Sequence, residues 1–182
     1  MPSAHWRRLD VPGRDHAELT STTEGQQLAG AAHFQDAEEF VAITYLVTLT
    51  PDWRTLAAAL RVMTRTGRRR LRVTSTGLWE WTVQGRSMPA VSGCIDLDLA
   101  FTPATNLIAI RRLALAVGAS ADVTAAWLDF RANTLTPLRQ TYHRVSASEY
   151  AYSCPDLGFS ATLLVDADGF VQRYPPLWEE AR

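Results

Sequence analysis

Short stretches of β-branched, aromatic and aliphatic residues recur along the whole chain at intervals of roughly 8–12 residues, with turn-forming residues between them. In residues 70–76, Arg and Thr alternate with Leu71, Val73 and Ser75. This period of two is that of a strand with one buried face. Helical periodicity is weak throughout. The pattern therefore predicts an all-β fold of about a dozen short strands, arranged as a barrel, roll or sandwich.

The strand boundaries follow from the turn residues. Gln84-Gly85-Arg86 and Asp168-Gly169 are typical hairpin turns, since glycine adopts a positive φ at little cost. Gly30 is expected to interrupt its strand, and the residues before Asp15 are expected to be irregular. We expect strands at residues 15–22, 25–34, 39–50, 68–76, 78–83, 91–100, 110–117, 121–130, 135–145, 149–154, 159–165 and 170–174.

Residues 53–66 fit either type of element. Leu56, Leu60 and Met63 lie at helical spacing, and three successive alanines favour a helix. Trp53 and Thr55 begin an alternation that fits a strand equally well. Local propensity slightly favours the helix.

Composition narrows the function classes. The 182 residues fit one domain over residues 1–182, and the 47% of hydrophobic residues can form a sizeable core. A net charge of -1 argues against general binding to nucleic acid or to an anionic membrane, although all 18 basic residues are arginine. Neither a signal peptide nor an apolar run of membrane-spanning length is found, so we expect a cytoplasmic protein without stable membrane insertion.

Recognised catalytic and metal-binding motifs are absent from the sequence. His5, His16, His33 and His143 lack metal-ligand spacing, and no nucleophile elbow, phosphate loop or dinucleotide fingerprint occurs. We therefore expect no metal and no cofactor, and a binding protein rather than an enzyme. The two cysteines, Cys94 and Cys154, are expected to be buried free thiols.

The segment from Gly93 to Leu113 is unusual for a plain scaffold. As a strand, it would place Asp96 and Asp98 on one face, about 6–7 Å apart. Arg111 and Arg112 would then point to opposite faces of a later strand. The aspartates could form structural ion pairs with arginine, or line a cavity that binds a polar headgroup. A third alternative is a hydrolase with Asp96 and Asp98 as paired carboxylates.

Two further groups could line a site. Trp79 and Trp81 are expected on one strand face, either in the core or as an aromatic wall for sugar rings or acyl chains. Leu138, Gln140 and Tyr142 share another strand face, where a buried glutamine beside a tyrosine indicates a hydrogen-bond network. That network could be structural or face a ligand.

The run GCIDLDLAFTPATNLIAIRRL resembles the signature of the bacterial glycolipid-binding family, a group of proteins of unknown function. Other matches include residues 52–55, 77–79 and 138–142. Ala104 and Ala109 depart from the family pattern, which usually has Phe and Pro there. The signature residues that match are Gly93, Cys94, Asp96, Asp98, Leu99, Thr102, Pro103, Thr105, Asn106, Ile110, Arg111, Arg112 and Leu113.

The resemblance implies a single-domain antiparallel β-roll, an open half-barrel similar in shape to bacterial lipoprotein carriers. It also implies that residues 53–66 form a strand. A non-catalytic binder of a glycolipid or other amphiphile is the resulting hypothesis; a hydrolase and a purely structural or interaction domain are the alternatives. The candidate ligand-binding residues are Arg54, Trp79, Trp81, Asp96, Asp98, Asn106, Arg111, Arg112, Gln140 and Tyr142.

Overall fold

A computed structural model describes residues 1–37 and 39–181. These residues form fifteen strands, one α-helix and three short 3-10 turns, at Pro89–Val91, Pro103–Thr105 and Pro155–Leu157. The helix, α1, comprises Asn106–Leu113. The strands are β1 (Ser3–Arg8), β2 (Gly13–Thr22), β3 (Gly25–Asp36), β4 (Glu39–Leu49), β5 (Thr55–Thr64), β6 (Gly67–Ser75), β7 (Trp81–Val83), β8 (Arg86–Ser87), β9 (Leu97–Asp98), β10 (Ser120–Asp129), β11 (Thr134–Arg144), β12 (Glu149–Cys154), β13 (Phe159–Val165), β14 (Val171–Tyr174) and β15 (Trp178–Glu180).

All fifteen strands belong to one curved, open sheet. Its order is β8-β7-β6-β5-β4-β3-β2-β1-β15-β14-β13-β12-β11-β10-β9, so β1 and β15 join the two halves of the chain side by side. Neighbouring strands are antiparallel except β9 and β10. The expected all-β roll is thus confirmed, and β1 replaces the irregular start that the sequence predicted.

Alternation along the strands gives the sheet an inner and an outer face. In β4, Val41, Ile43, Tyr45 and Val47 are buried, whereas the residues between them are more exposed. The inner face packs against residues 88–113, which cross the interior of the roll. Leu97, Leu99, Phe101, Leu107 and Ile108 of this segment are each no more than 3% exposed. The interior is therefore filled by the protein's own chain.

Two predicted strands are wrong in this interior segment. Of residues 91–100, only Leu97–Asp98 pair as a strand. The strand predicted over residues 110–117 does not form, because residues 110–113 belong to α1. An interior segment without a strand partner on either side must satisfy its backbone hydrogen bonds within itself, and a helix does so. Arg111 and Arg112 consequently lie in the last turn of α1, not on opposite faces of a strand.

Residues 55–64 form a strand, as the family resemblance implies, although their local propensity slightly favours a helix. β5 pairs with β4 and β6 over nearly its full length. Cross-strand pairing on both sides outweighs the weak helical preference of the alanines. The expected hairpin turns at residues 84–86 and 168–169 are confirmed.

Gly30 does not interrupt β3. It lies opposite Tyr45 of β4, and a Cβ atom at residue 30 would lie 2.3 Å from the phenol oxygen of Tyr45. The glycine thus makes room for the tyrosine ring inside the roll.

Among residues 1–37 and 39–181, no helix is long and apolar enough to cross a membrane.

Candidate functional site

The carboxylate of Asp96 is held by Arg112. The Nε and Nη2 atoms of Arg112 donate hydrogen bonds to the two carboxylate oxygens, at 2.7 Å and 2.6 Å. The Asp96 side chain is 4% exposed and that of Arg112 is 19% exposed. Asp96 and Arg112 also border an open depression of about 510 Å³ between the 3-10 turn at residues 89–91 and β10. The pair joins α1 to the chain before β9.

Asp98 has other partners. Its carboxylate accepts hydrogen bonds from Gln140 Nε2, at 2.7 Å, and from the backbone N–H of Ala100, at 2.8 Å. Burial raises the pKa of Asp98, and these two hydrogen bonds oppose the rise. Leu138, Gln140 and Tyr142 are all buried on one face of β11, as the alternation predicts. Asp96 and Asp98 are therefore bound to different groups rather than to a common one.

Two more of the predicted residues lie inside the roll. The indole N–H of Trp81 donates to the backbone oxygen of Cys94, at 2.8 Å, and its side chain is almost fully buried. Asn106 is buried in the first turn of α1, and its Oδ1 has no hydrogen-bond partner among the described residues. Both side chains are therefore packed in the interior of the protein and do not lie on its surface.

A buried polar cluster that the sequence analysis missed joins the sheet to the interior segment. The Asp15 carboxylate accepts hydrogen bonds from the hydroxyls of Tyr45 and Thr102. Burial raises the pKa of Asp15 to about 7, although the hydrogen bonds from Thr102 and Tyr45 lower it. The signal was present in the sequence, because Asp15 occupies an inward position in the alternation with Ala17 and Leu19.

Two tryptophans stand in equivalent turns at one end of the roll. Trp53 follows Thr50 in the β4–β5 turn, and Trp79 follows Thr76 in the β6–β7 turn. The backbone N–H of Trp53 donates a hydrogen bond to the backbone oxygen of Thr50, at 3.0 Å. The backbone N–H of Trp79 donates to that of Thr76 in the same way, at 2.9 Å. Each tryptophan has a positive φ, of 67° and 57°. Bulky residues rarely adopt this conformation, and such outliers cluster at functional positions.

An arginine lies over each of these tryptophan rings. The Cζ of Arg111 is 5.0 Å from the ring centroid of Trp53, and that of Arg54 is 5.4 Å from the ring centroid of Trp79. Both distances suit a cation–π interaction. We call these four residues the rim site. The prediction that Trp79 shares a strand face with Trp81 is wrong, since Trp79 lies in the turn and is only partly buried.

A groove of about 380 Å³ runs from Trp53 along α1. Arg144 and Tyr150 also line this groove, and the guanidinium of Arg144 lies 5.7 Å from the ring centroid of Tyr150. The same guanidinium donates three hydrogen bonds to backbone oxygens. Arg111, in contrast, is exposed and makes no side-chain hydrogen bond or ion pair to any described residue. Its contact with the Trp53 ring is the cation–π interaction given above. The groove is also lined by Ile110, Ala114, Ala147, Val165, Asp166, Ala167 and Gly169.

The structure thus separates the ten predicted residues into two groups. At the rim site, Arg54 lies over Trp79 and Arg111 lies over Trp53, and the sequence analysis omitted Trp53 from this group. The signal that could have found it is the repeated Thr-x-x-Trp in the two turns. The residues that contact one another or the core below the rim are Trp81, Asp96, Asp98, Asn106, Arg112, Gln140 and Tyr142.

Comparison with known proteins supplies a family and a structural relative. A family model described as "Putative glycolipid-binding" matches residues 3–180. The chain is also similar to a DUF1089 family protein from Pseudomonas aeruginosa, whose crystal structure is known. The two sequences are 31% identical, and the two structures superpose with a TM-score of 0.79. The match covers 98% of this chain and 93% of that chain. A search of curated proteins gave no match.

Proposed function

The chain belongs to the family described as "Putative glycolipid-binding", and from that premise we propose that it is a non-catalytic binding protein for a sugar-bearing amphiphile. The rim site would bind the sugar. The observation that carries this proposal is the stack of Arg111 on Trp53 at the mouth of a groove, with the guanidinium otherwise unpaired among the described residues.

The chemistry of the rim site suits a sugar. An indole ring offers a flat apolar face to the C–H groups of a pyranose ring, and guanidinium N–H groups donate hydrogen bonds to its hydroxyls. An arginine lies over one face of the Trp53 ring and over one face of the Trp79 ring, so a sugar would stack on the opposite face of either ring. Ligand sites commonly combine an apolar wall with a few polar groups in this way.

The apolar part of the ligand would lie outside the roll. Residues 88–113 fill the inner face of the sheet, so an acyl chain has no room there without displacing Leu97, Leu99 or Phe101. The groove beside Trp53 continues along Ile110, Ala114 and Val165. An alkyl chain would extend along these residues from a sugar held at the rim.

Titration with n-octyl β-D-glucoside below its critical micelle concentration, followed by heteronuclear NMR, tests the proposal. We expect chemical-shift changes confined to the two turns, to α1 with Ala114, and to the groove residues from Val165 to Gly169. Trp53→Gly should weaken binding about tenfold or more, since alanine-type truncation of a buried aromatic anchor commonly does so. Glycine keeps the left-handed backbone of residue 53 at low cost, so the turn should persist.

Arg111→Gln should also weaken binding, whereas Arg65→Gln, in the exposed β5–β6 turn, should not. The proposal is wrong if octyl glucoside does not bind, or if it binds Trp53→Gly and Arg111→Gln as tightly as the unaltered protein.

A further inference from the structure

The outer face of β4, β5 and β6 carries a trough of about 620 Å³ that lies apart from the rim groove. Cross-strand pairs define its floor and its wall. Leu46 of β4 lies opposite Ala59 of β5, and these two residues belong to the apolar floor. Ala59 in turn lies opposite Arg72 of β6, which belongs to the basic wall. The next row places Arg61 opposite Arg70. We call this surface the outer trough.

The floor of the outer trough is low because its side chains are small. Ala57 and Ala59 point outward between longer side chains. They do not pack in the core, so core packing does not require small residues at these two positions. Alanine is a weak strand former, and these are the residues that led local propensity to favour a helix. A local rule that is broken without benefit to the core commonly marks a functional position. Leu46, 37% exposed, completes the apolar floor.

The wall of the outer trough is positively charged and uncompensated. Arg61, Arg70 and Arg72 form no salt bridge with any described residue, and none of the residues that line the trough is acidic. Arg70 and Arg72 stand two residues apart on one strand, about 6–7 Å between Cα atoms. Arg61 lies directly opposite Arg70, and like charges in that position repel each other. A bound anion would remove this repulsion.

We propose that the outer trough binds a single-chain amphiphile with a phosphate head. Guanidinium groups pair with phosphate oxygens through two parallel hydrogen bonds, and three of them surround the basic end of the trough. The alkyl chain would lie on Leu46, Ala57 and Ala59. A single strand of nucleic acid fits this surface less well, because none of the described residues that line the trough exposes an aromatic ring for base stacking. This inference does not depend on the rim site.

Isothermal titration calorimetry with dodecyl phosphate, kept below its critical micelle concentration, tests the inference. In Trp53→Gly, whose rim site is disabled, we expect dodecyl phosphate to bind more tightly than inorganic phosphate and more tightly than dodecyl maltoside, because both the charge and the chain contribute. Arg61→Gln with Arg70→Gln should weaken binding about tenfold or more, since hydrogen bonds to charged groups contribute at least that much to a binding constant.

Ala59→Phe fills the floor of the trough without changing any charge, and it should weaken dodecyl phosphate binding to a similar degree. Phenylalanine forms strands better than alanine does, so this variant should melt no lower than the unaltered protein. Arg65→Gln is the matched control and should bind normally. Trp53→Gly should also bind normally, which separates this site from the rim site.

Four results would overturn the inference. Inorganic phosphate could bind as tightly as dodecyl phosphate, or the Arg61 and Arg70 changes could have no effect. Binding could be lost in Trp53→Gly instead, which would place the anion at the rim. Finally, vesicles that contain phosphatidylglycerol, or a single-stranded RNA, could bind through Arg61 and Arg70 while monomeric dodecyl phosphate does not.

Discussion

The guanidinium of Arg112 spans the two oxygens of Asp96 and so ties the last turn of α1 to the chain that enters β9. Both groups are largely withdrawn from water. Removing one partner would leave the other charged and poorly solvated. The pair therefore matters for the placement of the whole interior segment.

Arg112→Ala should lower the free energy of unfolding by roughly 3 kcal/mol, because breaking a buried ion pair leaves an uncompensated charge. Urea denaturation followed by circular dichroism measures this. Arg139→Ala is the control: Arg139 forms an ion pair with Asp156 on the exposed surface, and its loss should change stability little. Equal effects of the two substitutions would show that Asp96 and Arg112 have no special structural role.

Asp15 should make the protein less stable as the pH rises. Burial raises its pKa to about 7 in the fold, against an ordinary value of 3.8. Between these values the folded state holds a proton that the unfolded state has released, so the stabilisation present below pH 4 is lost as the pH approaches 7. From pH 5 to pH 8 we expect a loss on the order of 2–3 kcal/mol, since one pKa unit corresponds to about 1.4 kcal/mol.

Asp15→Asn cannot titrate and provides the comparison. Its free energy of unfolding, measured in urea at pH 5 and pH 8, should change less than that of the unaltered protein. A pH dependence that is the same in both proteins would assign the effect to other groups.

Gly30→Ala should destabilise the protein by roughly 1–3 kcal/mol, as overpacking of a filled core does. The new Cβ would overlap both the ring of Tyr45 and the backbone oxygen of His16, and the backbone cannot move aside as a side chain can. Gly77→Ala is matched to it, because a Cβ at residue 77 meets no atom within 4 Å. Thermal melting should separate the two variants clearly; similar melting temperatures would refute the close approach of Tyr45.

Cys94 and Cys154 should react slowly with a thiol reagent in the folded protein. Both are buried, unpaired with each other, and burial raises the pKa of each thiol. The reactive thiolate is therefore scarce and shielded. With 5,5′-dithiobis-(2-nitrobenzoic acid) at pH 8, both thiols should be titrated rapidly only after denaturation in guanidinium. Rapid reaction of one thiol in the folded state would locate an opening of the roll at that residue.

The strands and hairpins were largely predictable, and the helix was not. The alternation after Gly67 and the turns at Gly85 and Gly169 depend only on residues a few positions apart. Such short-range patterns can be recognised directly in the sequence. A strand was predicted over residues 110–117, but residues 110–113 belong to α1, because their environment inside the roll is not visible in the sequence.

The candidate site was predicted in part. A structural ion pair with arginine was one of the alternatives left open for Asp96 and Asp98, and Asp96 does pair with Arg112. That Asp98 would bind Gln140, 42 residues away, depended on the pairing of β9 with β10 and of β10 with β11. The spatial distance between Asp98 and Gln140 could not be obtained from the sequence.

By itself, then, the sequence determined the all-β class, most strand positions, the turn at Gln84-Gly85 and the inward face of each long strand. These properties depend on side-chain alternation and on local backbone preferences. Only the tertiary structure decided that Asp15 meets Thr102 and that Arg111 stacks on Trp53. The partners in these contacts are far apart in the chain, and they come together only when the open sheet curves around residues 88–113.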